Sequence, residues 1–262
     1  MAQDAWKPIE LESNSTLLAR IGPLRLYIHH HRDEVHIATD YPPGELGPAE
    51  IGPIEGAPSD LEWTRWVAGR DFEQIQLRPT TPDRSCVVRP ELPVKIPTDR
   101  EAYFYVRVPL WICVTIPGQP ELTLSEVPSI VLSNTWFGDP QGGELCYSMR
   151  TTARREAEEE TVRSNRVVVP VRVRNEADEA LEVQRICLAV KHLNIYRGQR
   201  CLWANRVKAT FRGEQETSRI EFDDQPPDQA GQAELLAAHR EPVHEGFFRR
   251  TFVSSIMNLK IL

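Results

Sequence analysis

Four histidines fall in a short run: His29, His30, His31 and His36. Imidazole nitrogens ligate zinc and copper, so their spacing matters. On an extended strand, successive side chains alternate, and His29 and His31 share one face. Arg32-Asp33 suits a two-residue hairpin turn, and such a turn sets His29 opposite His36. His29, His31 and His36 are therefore the candidate metal ligands. The sequence places no cysteine or carboxylate that would complete the set. A solvent-facing strand of polar residues explains the same pattern.

The second group is Leu132-Ser-Asn-Thr-Trp-Phe-Gly-Asp-Pro-Gln-Gly-Gly-Glu-Leu-Cys-Tyr147. Asn134, Trp136, Phe137, Gly138, Asp139, Pro140, Gly143, Cys146 and Tyr147 form its motif. Pro140 restricts one backbone torsion, and the glycines admit torsions that other residues resist. Asp139 has two readings. It is either a catalytic or metal-binding carboxylate, or the acceptor that holds a turn through backbone N–H groups. The expectation is a structural turn that seats Trp136 or Phe137 against the core. Cys146 also has two readings. As a nucleophile it needs a base within hydrogen-bond reach, with His192 the nearest histidine by motif. Otherwise it is a buried thiol. No residue is assigned a catalytic or cofactor-binding role, and no cofactor is expected. The sequence contains no phosphate-binding loop, dinucleotide fingerprint, nucleophile elbow or paired-histidine metalloprotease helix.

Strands must position these groups, because the dominant period is two. In 103–116, Phe104, Val106, Val108, Leu110, Ile112, Val114 and Ile116 make one apolar face. Pro109 lacks a donor and predicts a bulge or a break into two strands. Val167, Val169, Val171 and Val173 repeat the pattern, and Leu24, Leu26 and Ile28 alternate with Arg25, Tyr27 and His29. Residues 42–60 are rich in Pro, Gly and Glu and read as a surface loop. Residues 62–77 fit neither period. Residues 152–161 are polar with almost no apolar face and read as a polar loop or a frayed turn, and 228–239 are expected to form a short helix docked by Leu235 and Leu236.

The fold expected is all-β, with antiparallel sandwich architecture in two immunoglobulin-like or jelly-roll-like units and little helix. The first unit spans 1–85 and carries the 42–60 loop. The second spans 86–262 and carries the Trp-Phe-Gly-Asp-Pro segment.

The net charge of −7 offers no general attraction to nucleic acid. No stretch approaches the roughly 20 apolar residues of a spanning helix. The first residues lack the basic-then-apolar layout of a signal peptide. Five cysteines, odd in number and widely spaced, read as buried thiols rather than a disulfide framework. A cytoplasmic protein is expected.

Several segments together resemble a known family. They are Val87-Val-Arg-Pro-Glu-Leu-Pro-Val94, Phe104 to Pro109, the Trp136 to Tyr147 segment, Val171-Arg-Val-Arg-Asn175, Cys187-Leu-Ala-Val-Lys-His-Leu-Asn-Ile-Tyr196 and Leu202-Trp203. The chain is similar to a prokaryotic family catalogued as domain of unknown function 432. The resemblance implies a β-rich soluble protein without assigned catalytic residues. It also implies a link, in some members, with small-conductance mechanosensitive channels, and so a peripheral membrane partnership. The functional expectation is a non-catalytic interaction or regulatory module with a protein partner or a second copy of itself. The alternative is a small-molecule-binding protein or an enzyme with a site between the two β units.

Overall fold

The alternating segments are strands in the computed structural model. It describes residues 3–43, 48–69, 72–156, 164–213, 218–242, 248–249 and 252–253. The fold is all-β, built mostly from antiparallel sheets. Among the described residues the helical pieces are two single 3-10 turns, Val190–His192 and Asp228–Ala230.

The chain divides into two units. The first comprises Met1–Thr80, Pro109–Val131 and Glu160–Arg166, and the second Thr81–Val108, Leu132–Glu159 and Val167–Leu262.

In the first unit, a six-stranded sheet contains the Thr16–Ile21, Leu24–His31 and Glu34–Asp40 strands as neighbours. Leu24, Leu26, Ile28, Val35 and Ile37 face the core. On the opposite face, Leu18, Tyr27 and Ala38 are covered by Leu61 and Trp63. A four-stranded sheet pairs Trp111–Ile116 with Leu122–Pro128 and with Gln74–Thr80. Ile112, Val114, Leu77 and Ile75 supply its fully buried side chains.

The apolar face of 103–116 is buried throughout, from Phe104 to Ile116, but it serves two strands. Glu101–Pro109 ends at the proline, and Trp111–Ile116 begins after Leu110. Proline cannot donate to a ladder, so the strand stops where its pairing partner would need that N–H.

The second unit holds an eight-stranded sheet and a five-stranded sheet. In the larger one, Arg166–Asn175 pairs with Glu101–Pro109 and runs parallel to Leu202–Ala204 and Val207–Phe211. Its Val167, Val169, Val171 and Val173 have no exposed surface. The smaller sheet has the order Ser133–Phe137, Glu144–Ala153, Cys86–Pro90, Arg185–Leu188, Phe252–Val253.

Three local expectations change. Within the 42–60 run, expected as a loop, Glu50–Ile54 is a strand paired with Thr16–Ile21, because Ile51 and Ile54 are apolar and pack inward among the Pro and Gly residues. Residues 228–239 form no helix: Asp228–Ala230 makes one turn, Gly231 ends it at φ 65°, and Glu234–Ala237 is a strand with Leu235 exposed. A leucine pair at adjacent positions gives no helical stripe, and glycine in the left-handed region is a stop. The polar 152–161 run begins as strand, since Glu144–Ala153 carries Thr152 and Ala153. Its remainder, from 157, lies outside the described residues.

Candidate functional site

The Gly-Asp-Pro segment is the turn of a hairpin that pairs Ser133–Phe137 with Glu144–Ala153. Gly138 sits at φ 105°, a torsion that favours glycine. The Asp139 carboxylate accepts from the Gln141 N–H at 3.1 Å and the Gly142 N–H at 2.6 Å. The Asp139 carbonyl accepts from the Gly143 N–H at 2.9 Å and from the Trp136 indole N–H at 3.0 Å. A Cβ on Gly143 would stand 2.6 Å from the Phe137 carbonyl oxygen and 2.7 Å from that of Asp139. The turn therefore closes only around a glycine at this position.

Register sorts the hairpin into two faces. Phe137 lies opposite Glu144, and Trp136 opposite Leu145. Phe137 turns inward at 3 % exposure, with Cys146, Val87 and Cys187 around it. Trp136 and Leu145 point out, at 48 % and 46 % exposure. Asn134 lies opposite Tyr147, and its Oδ1 accepts from Arg84 at 3.3 Å. The Tyr147 hydroxyl donates to Asp83 at 2.8 Å, with the Arg84 guanidinium 5.5 Å over its ring. Burial and that hydrogen bond push the Tyr147 hydroxyl up to about 12.

The inner face carries a chemical group. Glu144 and Cys146 are two apart on one strand and so point the same way. Cys187, on the Arg185–Leu188 strand, meets them from across the sheet. The Cys146 and Cys187 Sγ atoms are 3.8 Å apart, and the Cys187 thiol donates to Glu144 Oε1 at 3.7 Å. The Ser85 hydroxyl donates to Glu144 Oε2 at 3.5 Å. Among the described residues, Glu144, Cys146 and Cys187 form the one set of three His, Cys, Asp or Glu residues whose donor atoms all lie within 4.8 Å of one another.

The two thiols are unequal. The hydrogen bond shared with Cys187 lowers the Cys146 thiol, against burial, which raises it. Cys187 is raised well above the ordinary thiol range, by that bond, by burial and by the charge Cys146 would carry. Burial pushes the nearby Cys86 up as well. His192 bonds instead to the Glu241 carbonyl at 2.8 Å and packs against Phe222. The group beside the Cys146 thiol is another thiol and not an imidazole.

The histidine hairpin forms in the register the turn implies. His29 lies opposite His36 and His31 opposite Glu34, with Arg32 at φ 58° in the turn. The His29, His31 and His36 rings share a face, with centroids 5.7 to 6.4 Å apart. Each ring already uses one nitrogen: His29 with Thr16, His31 with Asn14, His36 with Glu34. His29 and His31 stack nearly parallel, at 14°, so these two rings lie side by side. Their nitrogens do not all close to the spacing that Glu144, Cys146 and Cys187 reach. Burial, then the neighbouring His36 and His31, hold the His29 ring below its ordinary value.

The sequence signalled Cys146 but missed Glu144, Ser85 and Cys187 as its surroundings. Glu144 was legible in principle, two residues from Cys146 on a predicted strand. Cys187 was not, because its approach depends on sheet order.

The family model described as "Protein of unknown function (DUF432)" matches residues 5–258. The chain belongs to this family. No curated protein and no solved structure matches it. The match spans both units and includes the hairpin and the thiol–carboxylate group. Among the described residues, no helix is long and apolar enough to cross a membrane.

Proposed function

We propose that this member of the DUF432 family is a non-catalytic, cytoplasmic interaction or regulatory module in a prokaryotic cell. It engages a protein partner, or a second copy of itself, through the outer face of the Gly-Asp-Pro hairpin. The observation that carries this reading is the exposed cross-strand pair of Trp136 and Leu145. Single exposed apolar residues are ordinary. Here a tryptophan is held at its indole N–H by the Asp139 carbonyl and backed by a leucine. Such a preordered aromatic is the kind of anchor in which binding energy concentrates. Among the described residues Ser133–Phe137 is also the end strand of its sheet, so its outer edge can accept an added strand. The link with mechanosensitive channels that the resemblance implies for some members favours a membrane-bound assembly as the partner. The odd number and wide spacing of the five cysteines favour the cytoplasm. The acidic balance argues against nucleic acid.

The test compares the wild-type chain with Trp136→Ala and Leu145→Lys by in-cell crosslinking with mass spectrometry and by sedimentation of the purified protein. The reading expects a stoichiometric crosslinked partner, or a self-associated species, that both variants lose at unchanged melting temperature. A wild-type chain that is monomeric, with no stoichiometric partner, rejects it. The second reading, a small-molecule-binding protein or enzyme, draws its support from Glu144, Cys146 and Cys187.

A further inference from the structure

The geometry points to a binding site for one thiophilic metal ion, zinc(II) in type, made by Glu144, Cys146 and Cys187. This inference stands independently of the interaction reading. It begins with spacing. Zinc with Zn–S bonds of about 2.3 Å and a Zn–O bond of about 2.1 Å, at tetrahedral angles, sets two sulfurs about 3.8 Å apart and sulfur and oxygen about 3.6 Å apart. The side chains stand at 3.8 Å for Cys146 to Cys187 and 3.7 Å for Cys187 to Glu144. These two separations already match those around one ion, and all three donor atoms lie within 4.8 Å of one another.

A disulfide fits the same sulfurs poorly. A bond of about 2.0 Å would require them to close by nearly half their separation. The strands that carry them are also not neighbours, because Cys86–Pro90 lies between them in the sheet. Two strand spacings of about 4.8 Å separate the backbones by about 9–10 Å, wider than a disulfide spans. An ion bridges that gap through the side chains, and a covalent bond would need the sheet to move.

The donor types agree with the spacing. Two sulfurs and a carboxylate suit zinc and its neighbours and do not suit calcium or magnesium. The thiols are buried, at 0 % and 2 % exposure, while Glu144 is half-buried and gives the ion its route in. The Ser85 hydroxyl donates to the carboxylate and orients it, as the outer partners of metal ligands do. Three protein donors leave a fourth position for water or an incoming ligand. Binding forms two metal–sulfur bonds and one metal–oxygen bond. Each thiol gives up its proton to solvent, so two protons leave for each divalent ion taken up.

The test uses the full-length, reduced protein and adds cobalt(II), then zinc(II), to chelator-treated samples. One cobalt per chain is expected, with the thiolate-to-cobalt charge-transfer absorption, displaced fully by one equivalent of zinc. Calorimetry in two buffers should report about two protons released per ion. Cys187→Ser should remove the charge-transfer band, and Glu144→Gln, which keeps both thiols, should weaken zinc binding at least tenfold. Cys113→Ser should change neither result. Circular dichroism of each metal-free variant checks that it is folded. Should Cys187→Ser be unfolded, Glu144→Gln alone decides. Wild-type protein that takes up no cobalt, or a Glu144→Gln variant that binds zinc as tightly as wild type, overturns the site. So does a mapped Cys146–Cys187 disulfide in the freshly isolated protein.

Discussion

The sulfurs of Cys146 and Cys187 stand 3.8 Å apart on strands with another strand between them. The two are 41 positions apart along the chain. The contact exists only because the Gly-Asp-Pro hairpin and the Arg185–Leu188 strand flank Cys86–Pro90 on opposite sides. A turn that looks purely structural therefore also fixes where one of the two thiols lies.

Thiol labelling should follow burial. Cys113 and Cys201 are partly exposed, while Cys86, Cys146 and Cys187 are buried. In native conditions a maleimide should modify Cys113 and Cys201 first. The other three should react only as fast as the sheet opens, and at full speed in denaturant. Peptide mapping after timed quenching reads the order. Rapid native labelling of Cys187 would contradict its burial.

The valine face of Arg166–Asn175 should be intolerant of charge. Val171 has no exposed surface and lies beside Val207 in a parallel pair. Val171→Asp buries a carboxylate with no partner and should cost several kcal/mol, enough to unfold a marginal domain. Urea unfolding measures it. A midpoint equal to wild type would mean that the strand does not face the core.

Much of this was legible because it is local. The alternating valines need only period two. The histidine register needs only a two-residue turn between alternating strands. Pro109 announced the strand break, because a missing N–H is visible in any sequence. The thiol–carboxylate group was legible only in its local pair, Glu144 and Cys146, since Ser85 and Cys187 join it only through sheet order. The parallel pairing of Arg166–Asn175 with the 202–211 stretch was hidden for the same reason. Leu235 misled because two leucines in a polar run look like a docking face for a helix, while Gly231 ends the turn that would have begun one.

Acid should loosen the histidine hairpin. His29 is held below the ordinary histidine value of 6.5, first by burial, then by His36 and His31, against a bond to the Ser15 carbonyl that raises it. His30 on the same strand adds a smaller repulsion. The Thr16 hydroxyl and the Trp63 ring also face His29, and the Glu34 carboxylate bonds to His36. A depressed base is neutral in the fold and takes its proton more readily in the unfolded chain. Its stabilisation is thus complete above the ordinary value and is lost as pH falls below it. Glu34, lowered mainly by the His36 hydrogen bond, loses its contribution in the same direction at lower pH. Melting temperature should fall between about pH 7.5 and about pH 5.5, within the histidine range. The fall should be smaller in His29→Gln. Equal falls in both proteins would remove His29 as the cause.

The Gly-Asp-Pro turn gives the last prediction, on two variants of graded severity. Asp139→Ala removes the acceptor for the Gln141 and Gly142 N–H groups, both at the surface. Water can replace that acceptor, so the loss should be about 1 kcal/mol, the usual net value of such a bond. Gly143→Ala is harsher. Its methyl group would lie within 2.7 Å of two backbone carbonyl oxygens and 2.4 Å from the Trp136 indole nitrogen. Backbone cannot swing aside like a flexible side chain, so the turn must open, at a cost of about 1–3 kcal/mol. Opening also frees the Trp136 indole from the Asp139 carbonyl. Tryptophan fluorescence should therefore change in Gly143→Ala and much less in Asp139→Ala, where that carbonyl remains. Thermal melts with fluorescence detection read both quantities in one experiment. An Asp139→Ala protein with a wild-type melt that has lost its partner would show that the carboxylate acts at the interface and does not hold the turn.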